Sequence, residues 1–298
     1  MADSIGMVGV GLLGGALAAR LSAAGYSLMG FDIDADRRRE FAEIGVVAES
    51  SEAVLRTCRT VVLCLPNSDC VEQVVEDAIA DIPRKTCLVD TTTGDPERTA
   101  ALGQRLVSRG VGYLDATVAG SSQQARTGDI VLMVGGRDAD VNAQRDLLRA
   151  WTERIFHLGP CGAGAQMKLV VNLVLGLNRA ALAEGLALAE RCGLDAHRSL
   201  EVLKSGAAYS YAMDAKGQKM VERDFSPQAR LAQHLKDVRL MLEMADRVGA
   251  WTPLAETHRT LLEAADKAGW GEADNSAVLS AFSLRPPEAD DRSRDSNL

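Results

Sequence analysis

Aromatic side chains are scarce in this 298-residue chain, since Phe, Tyr and Trp together make up only 4% of it. The hydrophobic core must therefore be built from Leu, Val, Ala, Ile and Met. Positive charge is also in deficit, because 33 Lys and Arg face 41 Asp and Glu and leave a net charge of −8. A nucleic-acid surface needs a concentrated basic patch, so this balance argues against a nucleic-acid partner.

Cysteine pairs and metal-binding patterns are missing as well. The six cysteines include no pair at CxxC spacing and the four histidines share no metal-ligand spacing, so we expect no metal site. Cys64 and Cys87 lie in apolar runs and are interpreted as small buried side chains, which fits a reducing compartment. Met1 leads almost directly into a strand, and no signal peptide or long apolar span is recognisable. We therefore expect a cytoplasmic protein without a membrane partner.

The first half of the chain alternates short apolar runs, such as residues 5–9 and 60–65, with helix-forming stretches. This alternation predicts βαβ units and a mostly parallel sheet. Residues 164–192 then form one long helix-compatible stretch, and no later stretch shows the alternation of a strand. We predict an α/β protein: an N-terminal Rossmann-like doubly wound sheet, followed by an all-α C-terminal domain joined by a long helix.

A chain of 298 residues is long enough to form two domains. We predict a dinucleotide-binding Rossmann domain at residues 1–163 and an all-helical domain for substrate binding and dimerisation at residues 164–285. The remaining residues, 286–298, are polar and charged, and this composition predicts a disordered tail.

The segment Gly9-Val10-Gly11-Leu12-Leu13-Gly14 has the pattern GxGxxG between the first predicted strand and the first predicted helix. In that context Gly9 makes the tight turn, Gly11 lets the backbone approach a pyrophosphate, and Gly14 lets helix and strand pack closely. The phosphates would meet the helix N-terminus, with its free N–H groups. A plain strand-to-helix turn is the alternative interpretation.

Asp32 ends the second predicted strand, 18 residues after Gly14. A carboxylate there accepts hydrogen bonds from the adenosine ribose and repels a 2′-phosphate, so we predict NAD as the cofactor. Arg37, Arg38 and Arg39 follow, and they either contact a phosphate or only solvate a helix face. NADP therefore stays possible.

Several separated motifs, spread over the chain as far as Phe282, resemble those of the β-hydroxyacid dehydrogenase family of 3-hydroxyisobutyrate dehydrogenases and 2-hydroxy-3-oxopropionate reductases. Besides the glycine loop, the motifs are Leu65-Pro66-Asn67, Asp90-Thr91-Thr92-Thr93-Gly94-Asp95-Pro96, Asp115-Ala116-Thr117-Val118-Ala119-Gly120-Ser121-Ser122, Gly162-Ala163-Gly164-Ala165-Gln166-Met167-Lys168 followed by Asn172, Lys236-Asp237-Val238, and Gly271-Glu272-Ala273-Asp274-Asn275-Ser276-Ala277.

The resemblance implies NAD(P)-dependent oxidoreduction of a small β-hydroxyacid or its aldehyde or semialdehyde, in a homodimer or homotetramer. It implies that Leu65 and Pro66 line the cofactor groove together with Leu12 and Leu13 of the glycine loop. Thr93 is expected near the nicotinamide and the substrate. Lys236 is expected to contact both substrate and cofactor, and a surface lysine paired with an acid is its alternative interpretation.

Oxidation of an alcohol couples hydride transfer with transfer of the hydroxyl proton to a base. The resemblance implies that Lys168 is this base, and burial in an apolar helix would favour its neutral amine. Asn172, four residues on, lies on the same helix face and is expected to orient the lysine or to bind the substrate hydroxyl. By pattern alone, a snorkelling surface lysine would be the plainer interpretation.

Gly120, Ser121 and Ser122 are expected to bind the carboxylate of a small substrate through backbone N–H groups and hydroxyls, as an anion nest. An ordinary turn is the alternative. The loop departs from the family's D-A-P-V-S-G-G, because Thr117 replaces the proline, Ala119 the serine and Ser121 the second glycine. We expect these replacements to alter the substrate.

Two other functions stay open from the sequence. An imine reductase-like activity occurs in relatives of this architecture, but those usually replace the catalytic lysine, so Lys168 argues against it. A non-catalytic NAD-binding scaffold is opposed by Lys168, Asn172 and Thr93, whereas the altered substrate loop favours it.

Overall fold

The computed structural model describes residues 4–282, and the predicted tail at residues 286–298 lies outside them. The chain divides into two compact units, one that ends at Val171 and one that begins at Asn172. This division falls inside a long helix, later in the chain than the domain boundary predicted after residue 163.

The first unit is built on one sheet. Its strands, β1 to β8 in chain order, are Ile5–Val8, Leu28–Phe31, Val46–Val47, Thr60–Leu63, Cys87–Asp90, Gly112–Ala119, Val131–Gly135 and Ile155–Gly159. They lie in the order β3-β2-β1-β4-β5-β6-β7-β8, and every neighbouring pair is parallel except the antiparallel β6 and β7. The predicted Rossmann-like, mostly parallel sheet is confirmed.

Helices follow most of these strands. In chain order α1 to α8 are Leu12–Ala23, Ala35–Phe41, Ser51–Thr57, Ser68–Ala78, Pro96–Ser108, Ser122–Thr127, Asp138–Ala143 and Arg145–Trp151. Short polar side chains start several of them, because Ser50, Asn67 and Asp95 each accept a hydrogen bond from a first-turn backbone N–H. These caps satisfy donors that a helix start leaves without partners.

Apolar side chains fill both faces of the sheet. Val61, Val62 and Leu63 of β4 are completely buried, as expected for a parallel strand covered on both sides. Aliphatic residues dominate this core, and Trp151 and Tyr113 are its largest completely or almost completely buried side chains. The scarcity of aromatic residues is therefore compatible with a well-packed interior.

One helix, α9 (Ala163–Arg191), crosses from the first unit into the second. By length and composition it could cross a membrane, and 44% of its most apolar stretch is buried in the protein. Core helices of soluble proteins meet the same criterion, so this is weak support for a membrane span.

Within its described residues the second unit consists of helices joined by loops, with one isolated β-bridge between Arg230 and Asp274, which confirms the predicted all-α domain. The helices α10 to α13 are Ala196–Ser205, Gln218–Glu222, Leu231–Arg247 and Pro253–Ala265, with π-helical turns at Met213–Gly217 and Asp266–Trp270 and a 3₁₀ helix at Asn275–Phe282.

Asp274 hydrogen-bonds several separate segments of this unit. It is fully buried, and its carboxylate accepts hydrogen bonds from the Lys216 amine at 2.8 Å and from the Ser276 hydroxyl at 2.7 Å. The backbone N–H groups of Gln228 and Ala229 donate to it as well. Burial alone would raise the pKa of Asp274, but the hydrogen bonds from Lys216 and Ser276 hold it at about 2.

Candidate active site

The predicted cofactor residues meet at one edge of the sheet. β1, β2, β4 and β5 are mutually parallel, so their carboxyl ends lie on the same side. The glycine loop follows β1, Asp32 follows β2, Leu65 follows β4 and Thr93 follows β5. β2 and β3 lie on one side of β1, and β4 and β5 lie on the other, so the strand order reverses between β1 and β4. In such sheets ligands bind at the carboxyl ends of the strands where the order reverses.

The glycines of the loop play two different roles. Gly9 has φ +87°, and a Cβ there would lie 2.2 Å from the Cys64 carbonyl oxygen. A Cβ at Gly14 would lie 2.1 Å from the carbonyl oxygen of Gly9. At Gly11, by contrast, no atom of residues 4–282 beyond its own chain neighbours and helix comes within 4 Å of a Cβ. Packing thus requires Gly9 and Gly14, whereas Gly11 faces space that a ligand can enter.

The N-terminus of α1 is open to an anion. Among the described residues, no side chain makes a capping hydrogen bond at Gly11, and the first turn contains no acidic side chain. The N–H groups of Leu12 and Leu13 have no partner within the helix, and the positive end of the helix dipole adds to them. This cradle fits the pyrophosphate of a dinucleotide.

Asp32 is half-buried, and its carboxylate holds the turn beside the cradle. One oxygen accepts a hydrogen bond from the Val10 backbone N–H at 2.8 Å, and the other accepts from Asp34 N–H at 2.9 Å. The next residue, Ile33, is 92% exposed and offers an apolar surface at the same edge. The carboxylate is therefore held in place by two backbone N–H groups, and its contact with the adenosine ribose stays a prediction.

The three arginines after Asp32 have local partners. Arg37 pairs with Glu40 at 2.8 Å, and Arg39 pairs with Asp36. Arg38 donates to the carbonyl oxygens of Asp32 and Ile33, at 2.6 and 3.0 Å, and lies over the Phe31 ring. These contacts favour structural roles over phosphate binding.

The loops after β4 and β5 are joined to each other. The Leu65 backbone N–H donates to the Thr92 hydroxyl at 3.1 Å, and the Thr91 hydroxyl donates to the Leu63 carbonyl oxygen at 2.9 Å. Leu65 and Thr93 are half-buried and Pro66 is exposed. All three lie at the edge of the sheet where the cofactor residues meet.

The loop predicted to bind the substrate, residues 120–122 and called the substrate loop below, follows the end of β6. Gly120 has φ +147°, and a Cβ there would lie 2.6 Å from a methyl carbon of Ile130. The Ser121 N–H donates to the Gln124 side chain at 2.9 Å, and the Ser121 hydroxyl oxygen accepts from Gln124 N–H at 3.2 Å. Ser121 therefore starts α6 with a capping box, and its N–H already has an intramolecular acceptor. Ser122 is half-buried in the first turn of α6.

Lys168 lies near the start of α9 and is half-buried. Its amine donates a hydrogen bond to the carbonyl oxygen of Val118 at 2.7 Å. Val118 belongs to β6 and precedes Gly120 by two residues. The structure thus holds the Lys168 amine against the strand that leads into the substrate loop.

Thr117 lies inside the packing of the first unit, and its effect on the substrate stays a prediction. This side chain is completely buried, and its hydroxyl donates to the Gly164 carbonyl oxygen at 3.0 Å and to that of Met133 at 3.3 Å. The Thr117 hydroxyl thus connects β6 to β7 and to the start of α9. A proline at this position would have no hydroxyl to make these two hydrogen bonds.

Asn172 and Lys236 lie in the second unit and share one partner there. Asn172 is 8% exposed and donates its side-chain N–H to Asp237 at 3.0 Å, and the Lys236 amine lies 3.1 Å from the other Asp237 oxygen. Lys236 is thus a lysine paired with an acid, and its substrate and cofactor contacts stay predictions.

Two buried carboxylates were quoted in motifs but given no role. Asp90 ends β5, accepts a hydrogen bond from the Tyr113 hydroxyl at 2.6 Å, and has a pKa raised to about 6 by burial. Asp115 in β6 accepts from the backbone N–H groups of Gly162 and Ala165, both at 2.8 Å. Asp90 and Asp115 each follow two apolar strand residues. A carboxylate buried in such a run needs hydrogen-bond donors, so this pattern could have identified both residues from the sequence.

Within residues 4–282 no three His, Cys, Asp or Glu side chains are grouped so that they could hold a metal ion. Burial raises the pKa of the Cys64 thiol to about 11 and that of Cys87 to about 12, so both stay protonated at neutral pH.

Two family models cover nearly all of the chain. Residues 4–159 match the NAD binding domain of 6-phosphogluconate dehydrogenase, and residues 162–282 match the NAD-binding model of NADP-dependent 3-hydroxyisobutyrate dehydrogenase. With the Rossmann sheet and its open glycine cradle, these matches define the class as an NAD(P)-binding oxidoreductase. More specifically, the chain belongs to the NAD(P)-dependent 3-hydroxyacid dehydrogenase family, which confirms the resemblance inferred from the motifs.

Relatives extend over the same length. 2-(Hydroxymethyl)glutarate dehydrogenase of Eubacterium barkeri is 29% identical over 283 residues, 93% of this chain and 94% of that protein. The crystal structure of 3-hydroxyisobutyrate dehydrogenase from Salmonella typhimurium has a TM-score of 0.86 at 26% identity and covers 93% of this chain and 99% of that one. The human cytokine-like nuclear factor N-PAC is 29% identical over 93% of this chain. The matched region is 51% of the length of that protein, so this chain spans about half of it.

Proposed function

We propose that this protein is an NAD-dependent dehydrogenase that interconverts a small β-hydroxyacid and its aldehyde or semialdehyde, with Lys168 as the general acid/base. The observation that carries the proposal is the hydrogen bond from Lys168 to Val118, which holds an amine beside the substrate loop. The names of two relatives support the substrate class, since both 2-(hydroxymethyl)glutarate and 3-hydroxyisobutyrate are small hydroxyacids.

The proton follows a simple path in this mechanism. During oxidation the neutral Lys168 amine accepts the substrate hydroxyl proton while the carbon–oxygen double bond forms, and during reduction the ammonium returns that proton to the oxygen. The nicotinamide, when bound, takes up or supplies the hydride. The hydrogen bond to Val118 fixes the direction of the lysine side chain, and Asn172 lies one helical turn further along α9.

The substrate carboxylate is proposed to bind at residues 120–122. The Ser121 N–H and one lone pair of its hydroxyl are already used by Gln124. We therefore propose that the carboxylate binds the Ser121 hydroxyl hydrogen, the Gly120 N–H, and the N–H and hydroxyl of Ser122. Of the three replaced side chains, Thr117 is completely buried, whereas Ala119 and Ser121 are not, so we propose that the latter two have the larger effect on the substrate.

NAD is the preferred cofactor in this proposal. The Asp32 carboxylate is held beside the glycine loop by the Val10 N–H, and a ribose 2′-phosphate bound next to it would be repelled. Arg37 and Arg39 are paired with acids on their own helix, so neither offers an unpaired charge to that phosphate.

We also propose a cytoplasmic homodimer or homotetramer without membrane or nucleic-acid partners. α9 carries apolar side chains that this chain leaves exposed, with Val174 53% and Leu188 65% exposed. Apolar side chains exposed on one helix are typical of association surfaces. Light scattering that shows a monomer at micromolar concentration would contradict the oligomer.

NADH absorbance with a substrate panel tests the catalytic proposal. The panel contains 3-hydroxyisobutyrate, glycerate, 3-hydroxypropionate and threonate for oxidation, and glyoxylate and succinic semialdehyde for reduction. We expect turnover with at least one of them and a loss of kcat of about 10²–10⁴-fold in Lys168→Ala, the usual contribution of a general acid/base. The matched control is Lys204→Ala, which removes an exposed ion pair with Asp214 in the second unit and should keep full kcat.

A non-catalytic NAD-binding scaffold is the second candidate. The similarity to the nuclear factor N-PAC and the altered substrate loop favour it, whereas the placement of Lys168 favours the enzyme. Tight NAD binding without turnover of any hydroxyacid or semialdehyde would support the scaffold.

A further inference from the structure

The start of α9 is capped by a side chain from a distant strand. Gly162 precedes the helix and has no side chain, and a Cβ there would lie 2.8 Å from the Pro96 carbonyl oxygen. Asp115 supplies the missing acceptors, because its two carboxylate oxygens accept the N–H groups of Gly162 and Ala165. A carboxylate at this end of a helix also interacts favourably with the helix dipole.

The surrounding backbone is shaped to admit this carboxylate. A Cβ at Gly135 of β7 would lie 2.5 Å from one Asp115 carboxylate oxygen, so only glycine leaves room for it there. A Cβ at Gly164 would lie 2.5 Å from the Met133 carbonyl oxygen and 2.7 Å from that of Asp115. The first turn of α9 is therefore packed directly on the backbones of β6 and β7.

Three successive contacts run along β6 and the first two turns of α9. Asp115 caps the helix, Thr117 donates to the Gly164 carbonyl oxygen at 3.0 Å, and the Val118 carbonyl oxygen accepts from the Lys168 amine at 2.7 Å. Alternate strand residues lie on one face, so Asp115 and Thr117 grip the same side of the helix start. These contacts fix both the rotation of α9 and its position along β6.

We infer that Asp115 is a positioning residue for Lys168: through the N-terminus of α9 it sets the place of the catalytic amine, and Thr117 assists it. The inference rests on the proposed function of Lys168. Asp115 and Thr117 are both buried, and each acts through backbone groups of α9, so neither is assigned a contact with substrate or cofactor.

A double-mutant cycle tests this assignment. Asp115→Asn keeps the shape of the side chain but replaces one acceptor oxygen with an NH₂ group that faces a backbone N–H. We expect kcat to fall about 10- to 100-fold when Lys168 is present, because a misplacement of about 1 Å can cost that much. In the Lys168→Ala background the same substitution should change the residual kcat by less than about twofold, since there is no amine left to position.

The readouts separate positioning from general damage. The KM for NAD should be unchanged, and the limb of the kcat–pH profile that depends on Lys168 should shift in Asp115→Asn. An equal fall of kcat in both backgrounds would overturn the inference and leave the proposed function standing. A Lys168→Ala variant with normal kcat would overturn the proposed function, and the inference with it.

Thr117→Val carries the same test if Asp115→Asn does not fold. Its matched control is Thr152→Val, because Thr152 is also buried in the first unit and its hydroxyl donates to the Ile130 carbonyl oxygen at 2.8 Å. We expect both variants to lose similar stability, and only Thr117→Val to lose kcat, by several-fold. Equal kcat values in the two variants would contradict the inference.

Discussion

The Lys168 amine and the Val118 carbonyl oxygen are 2.7 Å apart, and this hydrogen bond joins the start of α9 to the strand that leads into the substrate loop. β6 thus has two structural links to the proposed site. It ends in the loop at residues 120–122, and it holds the helix on which the proposed acid/base lies. The packing of β6 against α9 therefore positions the Lys168 amine. We expect a substitution that disturbs this packing to lower kcat.

The glycine loop offers a clean separation of folding from cofactor binding. Gly11→Ala places a methyl group in open space, so we expect a normal Tm but NAD(H) binding weakened by at least about tenfold, because the methyl lies where the phosphates approach. Gly14→Ala should instead destabilise the protein, since its Cβ would lie 2.1 Å from the Gly9 carbonyl oxygen. Fluorescence titration with NADH and thermal unfolding distinguish the two, and normal NADH affinity in Gly11→Ala would place the pyrophosphate elsewhere.

Cofactor preference should depend on Asp32. Asp32→Asn keeps an oxygen for the Val10 N–H but removes the negative charge, so we expect the ratio of kcat/KM for NADP over NAD to rise about tenfold. Arg39→Ala is the control, because it removes only a surface pair with Asp36. A wild-type protein that already prefers NADP would contradict the assignment of Asp32.

The two glycines of α9 in the second unit should respond in opposite ways to alanine. A Cβ at Gly176 would lie 2.6 Å from Nε2 of His234 and 2.9 Å from Nε2 of His258, so Gly176→Ala should cost about 1–3 kcal/mol of unfolding free energy. Gly185→Ala meets no described atom within 4 Å and should gain up to about 1 kcal/mol from helix propensity. Chemical denaturation of both variants measures their free energies of unfolding. Equal values would contradict the prediction, because they would mean that His234 and His258 move aside for the added methyl group.

His258 should make the protein sensitive to acid. Burial, and then the charge of Arg179, lower the pKa of His258 to about 4, while the unfolded value is 6.5. Between these values the unfolded chain binds more protons than the folded one, so the free energy of unfolding falls as the pH drops below 6.5. We expect the wild type to lose about 1–2 kcal/mol more than His258→Gln between pH 7 and pH 5, measured by urea unfolding. Glutamine can still hydrogen-bond His234, and an equal pH dependence in both proteins would refute the prediction.

Much of the sheet could be predicted because parallel strands covered on both faces are continuous apolar runs, as in Val61, Val62 and Leu63. β3 could not be predicted in this way, since it consists of two exposed residues, Val46 and Val47, whose pairing depends on β2. The helix α6 did carry a local signal that was overlooked. Ser121 and Gln124 have the spacing of a capping box, which explains why the Ser121 N–H is engaged.

The candidate site was predictable wherever its geometry is local. The glycine loop needs only its own strand and helix, and the position of Lys168 near the start of α9 follows from the helical pattern. The partners of Asp115 are 47 and 50 residues away, and those of Thr117 are 16 and 47 residues away. No local pattern encodes such contacts, so the sequence could not predict that the Thr117 hydroxyl hydrogen-bonds the start of α9.

Hydride transfer measured by stopped flow in Lys168→Ala, with saturating NAD and added primary amines, tests the central claim most directly. We predict that the variant binds NADH with normal affinity, transfers hydride about 10²–10⁴-fold more slowly, and is partly rescued by amines in proportion to their basicity. Normal hydride transfer without any added amine would contradict the role of Lys168 as general acid/base.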